Sequence, residues 1–328
     1  MRLEITRQEG LRNDLLLRID RSEIDRALLT IANRDRLIAL PGIPRHRQAT
    51  DDERAGLDAV KVPIEQHLAA LGLVDASGRA TARAVAVSNR NLGTNHGHLA
   101  YQRGGTPRVF AVREDPCDYP AYSCLTSWAG GRLTIESLVF DRSAQAVRHA
   151  GDGRDLSEEI EWAVFGQQVV HSGVVASLDS LVDRFYDARH LFAFDQSAAG
   201  DAIRRQIYEG YPERFAGNVR AAWRDGVPRA RYVHNAIGLG ADGLVIVQRE
   251  GTVEEIGAAL REAGATDGLI LDNGGSVACW AWWVNDYAGG LVSPTVDYRP
   301  PGTSAIAFVL KGPMRTNPPG GSVSFSVL

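Results

Sequence analysis

The stretch Gly243–Ser276, "GLVIVQREGTVEEIGAALREAGATDGLILDNGGS", decides the fold. It opens with a short β-branched run suited to a buried strand. Thr252 and Glu255 then stand in capping-box spacing, and Val253, Ile256 and Leu260 recur on one helical face. Gly264 is placed to end that helix. "DGLILD" reads as a second strand that stops at Asp272. A strand–helix–strand unit of this length permits a parallel crossover, and in open sheets ligands sit outside the carboxyl ends of the strands. Asp272 stands at such an end. The Asn-Gly-Gly-Ser that follows can be a tight turn, or a backbone built to let something come close, since successive N–H groups in a glycine-rich turn form a concavity for anions. Beyond it, "SVACWAWW" carries three tryptophans within four positions. Strand alternation puts Trp280 and Trp282 on one face, which suits the apolar side of a sugar ring and equally suits a core.

Working outward, strands separated by turns are expected from about Thr81: "ARAVAVS", "HLAYQ", "RVFAV", "RLTIESLVF" and "WAVFGQQVV". Between Ser177 and Gly226 the texture turns helical. Residues 1–75 read as an N-terminal α/β layer or appendage, with "LLLRID" a strand and Ser22 capping a helix through "EIDRALLTIANRDRL". "DDERAGLDAVKVPIEQHLAALG" reads as helix, with Pro63 either kinking it or marking its true start. The expected architecture is α+β: a mixed β-sheet core with packed helices over residues 76–328, plus the N-terminal layer.

The chain has 328 residues, 44% of them hydrophobic and 23% charged, enough to bury a sizeable core. A net charge of −4 without a basic cluster argues against a nucleic-acid partner. No apolar run reaches membrane-spanning length, so no membrane partner is expected. The first twenty residues lack a basic leader followed by an apolar segment. With three cysteines, Cys117, Cys124 and Cys279, and no paired CxxC, a reduced cytoplasmic protein is expected.

Three short motifs lead elsewhere. "GLGADG", Gly238–Gly243, matches GxGxxG but is followed by a strand where a dinucleotide site needs a helix, so it reads as a hairpin turn. His96 and His98 in "NHGH" offer two metal ligands without a recognisable third, so no metal is expected. Ser276 lacks the GxSxG elbow of a serine hydrolase.

The last ninety or so residues resemble the phosphodiester glycosidase family. The family order is Arg-[Ser/Thr]-Ala-[Ile/Val]-Gly, a strand, a Thr-headed helix, Leu-Gly-Ala, Asn-Leu-Asp-Gly-Gly-Gly-Ser, and Glu-Arg-Pro before a closing strand. "HNAIGLGADGLVIVQREGTVEEIGAALREAGATDGLILDNGGS" follows that order, and "VSPTVDYRPPGTSAIAFVL" follows its ending. "AVSNRNLGTNHGHLAY" stands where the family has Asn-Gly-Gly-Phe-Phe, making Asn89 or Asn91 the counterpart asparagine. The departures fall together. His234 and Asn235 replace the arginine and its hydroxyl neighbour, Asn273 replaces the first glycine, and Tyr298 replaces the glutamate, whereas Arg299 and Pro300 remain and Asp297 precedes them.

The resemblance implies glycosidase-type hydrolysis of a sugar–phosphate link at the anomeric carbon. That chemistry passes through an oxocarbenium-like state and needs a carboxylate together with donors for the departing phosphate. Asp272 is the implied carboxylate, Arg299 with the Gly274 and Gly275 amides the anion donors, and His234 an acid or base near neutral pH. Asn273, Ser276, Asn235, Asn89, Asn91, Trp280 and Asp297 are the implied substrate-binding residues. No cofactor is implied. The expected partner is a small soluble sugar phosphate or nucleotide sugar. Two alternatives stay open: a non-catalytic sugar- or nucleotide-binding protein on the same fold, and a different enzyme, a transferase or one catalysing elimination or rearrangement, using His234.

Overall fold

The computed structural model describes residues 2–8, 12–40, 50–89, 99–103, 108–111, 122–141, 143–176, 232–273, 277–282, 290–292, 302–313 and 326–327. Among these, three sheets form the body, and the architecture is α+β, as expected. The first sheet has eight strands in the order Val174–Val175, Gln167–His171, Asp267–Asn273, Tyr232–Leu239, Gly243–Gly251, Arg12–Asp20, Arg2–Gln8 and Ser326–Val327. The second has five: Gly290–Val292, Cys279–Trp282, Ala84–Asn89, Ser304–Leu310 and Ile24–Ile31. The third has six: Arg108–Ala111, Leu99–Gln102, Ile160–Phe165, Tyr122–Trp128, Leu133–Asp141 and Ala146–His149.

One central core joins all three sheets. Leu17, Ile237, Ile246 and Leu269 come to it from the first, Val85, Val87, Ile306 and Phe308 from the second, and Leu125, Trp162 and Val164 from the third. The run "GLVIV" is continuously apolar because both of its faces are covered. Leu244 and Ile246 turn to this core, whereas Val245 and Val247 turn to the helix Val253–Glu262 and its Val253, Ile256 and Leu260. A reciprocal capping box between Thr252 and Glu255 starts that helix as the spacing predicts. On the five-stranded sheet the alternation is Val-in, Ala-out: Val85 and Val87 enter the central core, and Ala84 and Ala86 lie with Leu68 of the helix Ile64–Ala70.

The strand–helix–strand unit closes with a difference. Gly243–Gly251 and Asp267–Asn273 run parallel, but Tyr232–Leu239 lies between them and pairs antiparallel with both. The "GLGADG" stretch is the hairpin turn expected, and its glycines serve packing. A Cβ on Gly240 would stand 2.1 Å from the Gly264 carbonyl oxygen, and Gly243, at φ +146°, would meet the Ile19 carbonyl oxygen at 2.2 Å.

The N-terminal region departs from the reading of the sequence. Ile24–Ile31 is a strand, and Ser22 lies in a 3-10 turn, Arg21–Glu23. Ala27, Leu29 and Ile31 alternate into the central core, and the strand pairs along Ser304–Leu310. Helix is confined to Arg34–Ala39. The long-range partner and a period-two apolar pattern outweigh a helical propensity that is worth only tenths of a kcal/mol per residue. Arg12–Asp20 likewise pairs within the eight-stranded sheet, so residues 12–31 contribute to the central core. The following helical stretch divides into Asp51–Asp58 and Ile64–Ala70, with Pro63 as the N-cap of the second, its true start. No helix among the described residues is long and apolar enough to cross a membrane. The helical stretch expected between Ser177 and Gly226 lies outside the described residues.

Candidate functional site

The eight- and five-stranded sheets meet at one end in polar residues. Ser88, Asn89, Asn235, Gln248, Asp272 and Ser304 are all buried there, and Asp272 is only 1% exposed. Taking an ionised carboxylate out of water is costly unless it is hydrogen-bonded, so its position needs a physical account.

A β-bulge aims it. Along the pairing of Tyr232–Leu239 with Asp267–Asn273, Ala236 stands opposite Ile270 and Asn235 opposite Asp272, leaving Leu271 as the extra residue. In an unbroken ladder Asn235 would face Leu271, and Asp272 would stand opposite His234 with its carboxylate on the helix-covered face. The extra residue resets the alternation and brings Asp272 to the inward face beside Asn235.

A hydrogen-bonded chain then fixes the carboxylate. The Ser88 hydroxyl donates to Asp272 Oδ2 at 3.1 Å. Ser88 Oγ also accepts from the Ala278 N–H at 2.9 Å, the position its carbonyl would fill in a regular ladder, whose other half, Ser88 N–H to Ala278 O, is in place at 2.9 Å. The Ser88 carbonyl, thus released, accepts from Asn235 Nδ2 at 2.6 Å. Gln248 Nε2 donates to Asn235 Oδ1 at 3.0 Å and to the Ala278 carbonyl at 3.1 Å. Each amide orientation is set by its partners: acceptors face the nitrogens and a donor faces the oxygen of Asn235. Next in the strand, Asn89 is 0% exposed, and its carbonyl accepts from the Ser304 hydroxyl at 2.7 Å. Both polar atoms of the Asn89 side chain lack a partner among the described residues.

Of the residues singled out in the sequence, the structure brings Asp272, Asn235 and Asn89 to this end of the sheets. It does not bring His234, which stands opposite Asn273 and Arg249 on the face that carries the helix Val253–Glu262. There its Nε2–H donates to the Gly251 carbonyl at 3.1 Å. Burial pulls its pKa down to about 4, with the bond to Gly251 opposing, so the ring is neutral at pH 7 and not poised near neutrality. Trp280 is also elsewhere: it packs with Ile64, Leu68 and Ala86 beneath the helix Ile64–Ala70. Asn273 contributes strand backbone here. Gly274, Gly275, Ser276, Asn91, Asp297, Arg299, His96 and His98 lie outside the described residues. Sequence reasoning missed Ser88, Gln248 and Ser304. The available signal was the abrupt polarity that ends two apolar runs, "AVAVSN" and "GLVIVQ".

No protein-family model matches the chain. No curated protein matches it in sequence. Among solved structures it is similar to the catalytic domain of zebrafish N-acetylglucosamine-1-phosphodiester alpha-N-acetylglucosaminidase, auto-inhibited by its pro-peptide. The TM-score is 0.49 and the identity 11%, covering 94% of this chain and 82% of that one. It is also similar to a hypothetical protein from Synechocystis, with TM-score 0.35 and 10% identity over 94% of this chain and 61% of that one. A Burkholderia pseudomallei protein gives TM-score 0.39 and 15% identity over 91% of this chain and 73% of that one. At these identities and superpositions the likenesses carry no argument about chemistry or family membership.

Proposed function

We propose that the chain is a glycosidase-type hydrolase that cleaves the sugar–phosphate bond of a small soluble sugar phosphodiester or nucleotide sugar at the anomeric carbon. The observation that carries this reading is the buried Asp272 carboxylate, held by the Ser88 hydroxyl close to the end of a strand that precedes Gly274 and Gly275 in the sequence. A carboxylate so placed stabilises an oxocarbenium-like centre or activates the water that captures it. A phosphodiester leaves readily, so anion donors matter more than a strong general acid. Arg299 and the Gly274 and Gly275 amides are the donors the family order supplies. The Asn89 amide offers a donor and an acceptor, both without a partner among the described residues, and fits a substrate-binding role. A cytoplasmic setting would fit a biosynthetic substrate of this kind.

A second reading, a binding protein without turnover, is favoured by one observation. The family's arginine position is occupied by His234, which lies on the other face of the sheet from Asp272. One experiment separates the two: wild type and Asp272→Asn incubated with nucleotide sugars and sugar phosphodiesters, with binding and products followed by mass spectrometry. Sugar release that falls by roughly 10²–10⁴-fold in Asp272→Asn, with binding retained, is the expected result for a reacting carboxylate. Binding without turnover in either protein would replace the hydrolase reading with the second one.

A further inference from the structure

We propose that Ser88 is the positioning residue for Asp272, its hydroxyl holding Oδ2 in place and favouring the ionised carboxylate. This assignment rests on the reading of Asp272 as the reacting carboxylate. Every polar group of Ser88 is committed: N–H to the Ala278 carbonyl, carbonyl to Asn235 Nδ2, and Oγ as acceptor to the Ala278 N–H. What remains is the single hydroxyl proton, and it points at Asp272 Oδ2. A hydroxyl that donates to a carboxylate stabilises the charged form, against the opposing effect of burial. Gln248, bonded to both Asn235 and Ala278, braces the two groups that hold Ser88 and leaves the hydroxyl little freedom to turn away.

The polar side chains at this end of the adjoining strands are neutral: Asn235, Gln248, Ser88, Asn89 and Ser123, the last donating to Gln168. Among the described residues, Glu250 is the charged group of those strands that shares the inward face, two positions past Gln248 and opposite Val233. His234 and Arg249 stand opposite each other on the helix-covered face. Asp267 pairs with His171 at the far end of the strand, 3.2 Å apart. Burial pushes the Cys279 thiol up to about 12 and the Cys124 thiol well above its ordinary value. These groups are the same in wild type and variant, so a change in the titration of Asp272 on altering Ser88 is assigned to the lost hydroxyl.

The test is carboxyl-carbon NMR of the full chain labelled at aspartate, with Asp272→Asn identifying the Asp272 resonance. In Ser88→Ala its titration midpoint is expected to rise by roughly one to two pH units, the worth of a hydrogen bond to a charged group. Ser88→Cys, of similar size but a weak donor, should show a smaller rise, and Ser88→Thr should stay with the wild type. Should Ser88→Ala fail to fold, Ser88→Cys decides. A wild-type midpoint in both would overturn the assignment. The readout needs no substrate, so absence of turnover would remove the hydrolase reading while leaving the role of Ser88 measurable.

Discussion

Two neighbouring rows of side chains cross the inner face of the eight-stranded sheet. One runs Leu17, Ile246, Ile237, Leu269; the next runs Leu15, Gln248, Asn235, Asp272. They are one pleat repeat apart on the same strands and all are buried. The first row is dry and contributes stability through apolar area removed from water. In the second, three of four positions carry polar groups whose desolvation must be offset by hydrogen bonds, and at best the exchange is modestly favourable. A chain that can place Ile at 237 and 246 could equally place apolar residues at 235 and 248. That it instead buries a carboxylate and two amides points to a use for them other than stability.

The largest effect is expected in the dry row. Ile237→Ala should cost about 2–5 kcal/mol, as cavity-forming substitutions in packed cores do. The urea midpoint would report it, and a loss below about 1 kcal/mol would mean that this row is not the packed core described. On the outer face of the same strand, His234 is buried and neutral. Below pH 6.5 the unfolded chain takes up a proton that the folded chain refuses until about pH 4. Stability should therefore fall as pH drops through that window, by on the order of 2–3 kcal/mol. His234→Gln should flatten the fall when urea melts at pH 7 and pH 4.5 are compared. A residual slope should persist, because burial also lowers the pKa of His67. An unchanged slope would contradict the placement of His234. The smallest effect belongs to the polar row: Gln248→Leu extends the dry row but strips Asn235 Oδ1 and the Ala278 carbonyl of a donor, for a cost of about 1–3 kcal/mol. A stabilised variant would mean that the Gln248 amide is dispensable.

Much of the frame was legible. The run "GLVIV", the Thr252–Glu255 cap and the "GLGADG" hairpin were readable because each is a local pattern: a buried strand, a capping box, a turn. Ile24–Ile31 was misread as helix because its strand partner, Ser304–Leu310, is nearly the whole chain away, and no local signal announces such a pairing. At the candidate site, Asp272 was singled out from its place near a strand end. Ser88 was not, since its importance comes from a neighbour 184 positions on.

What the sequence determined by itself is that an aspartate ends a core strand and glycines follow it, since apolar runs and turn residues are local properties. Which way that aspartate looks was decided by tertiary structure alone. Strand alternation counted from Ile270 would set Asp272 against His234. One extra residue at Leu271 moves it to the opposite face, beside Asn235 and within reach of Ser88. A bulge of this kind is fixed by how two strands and the sheet beyond them fit together, and no single strand carries that information.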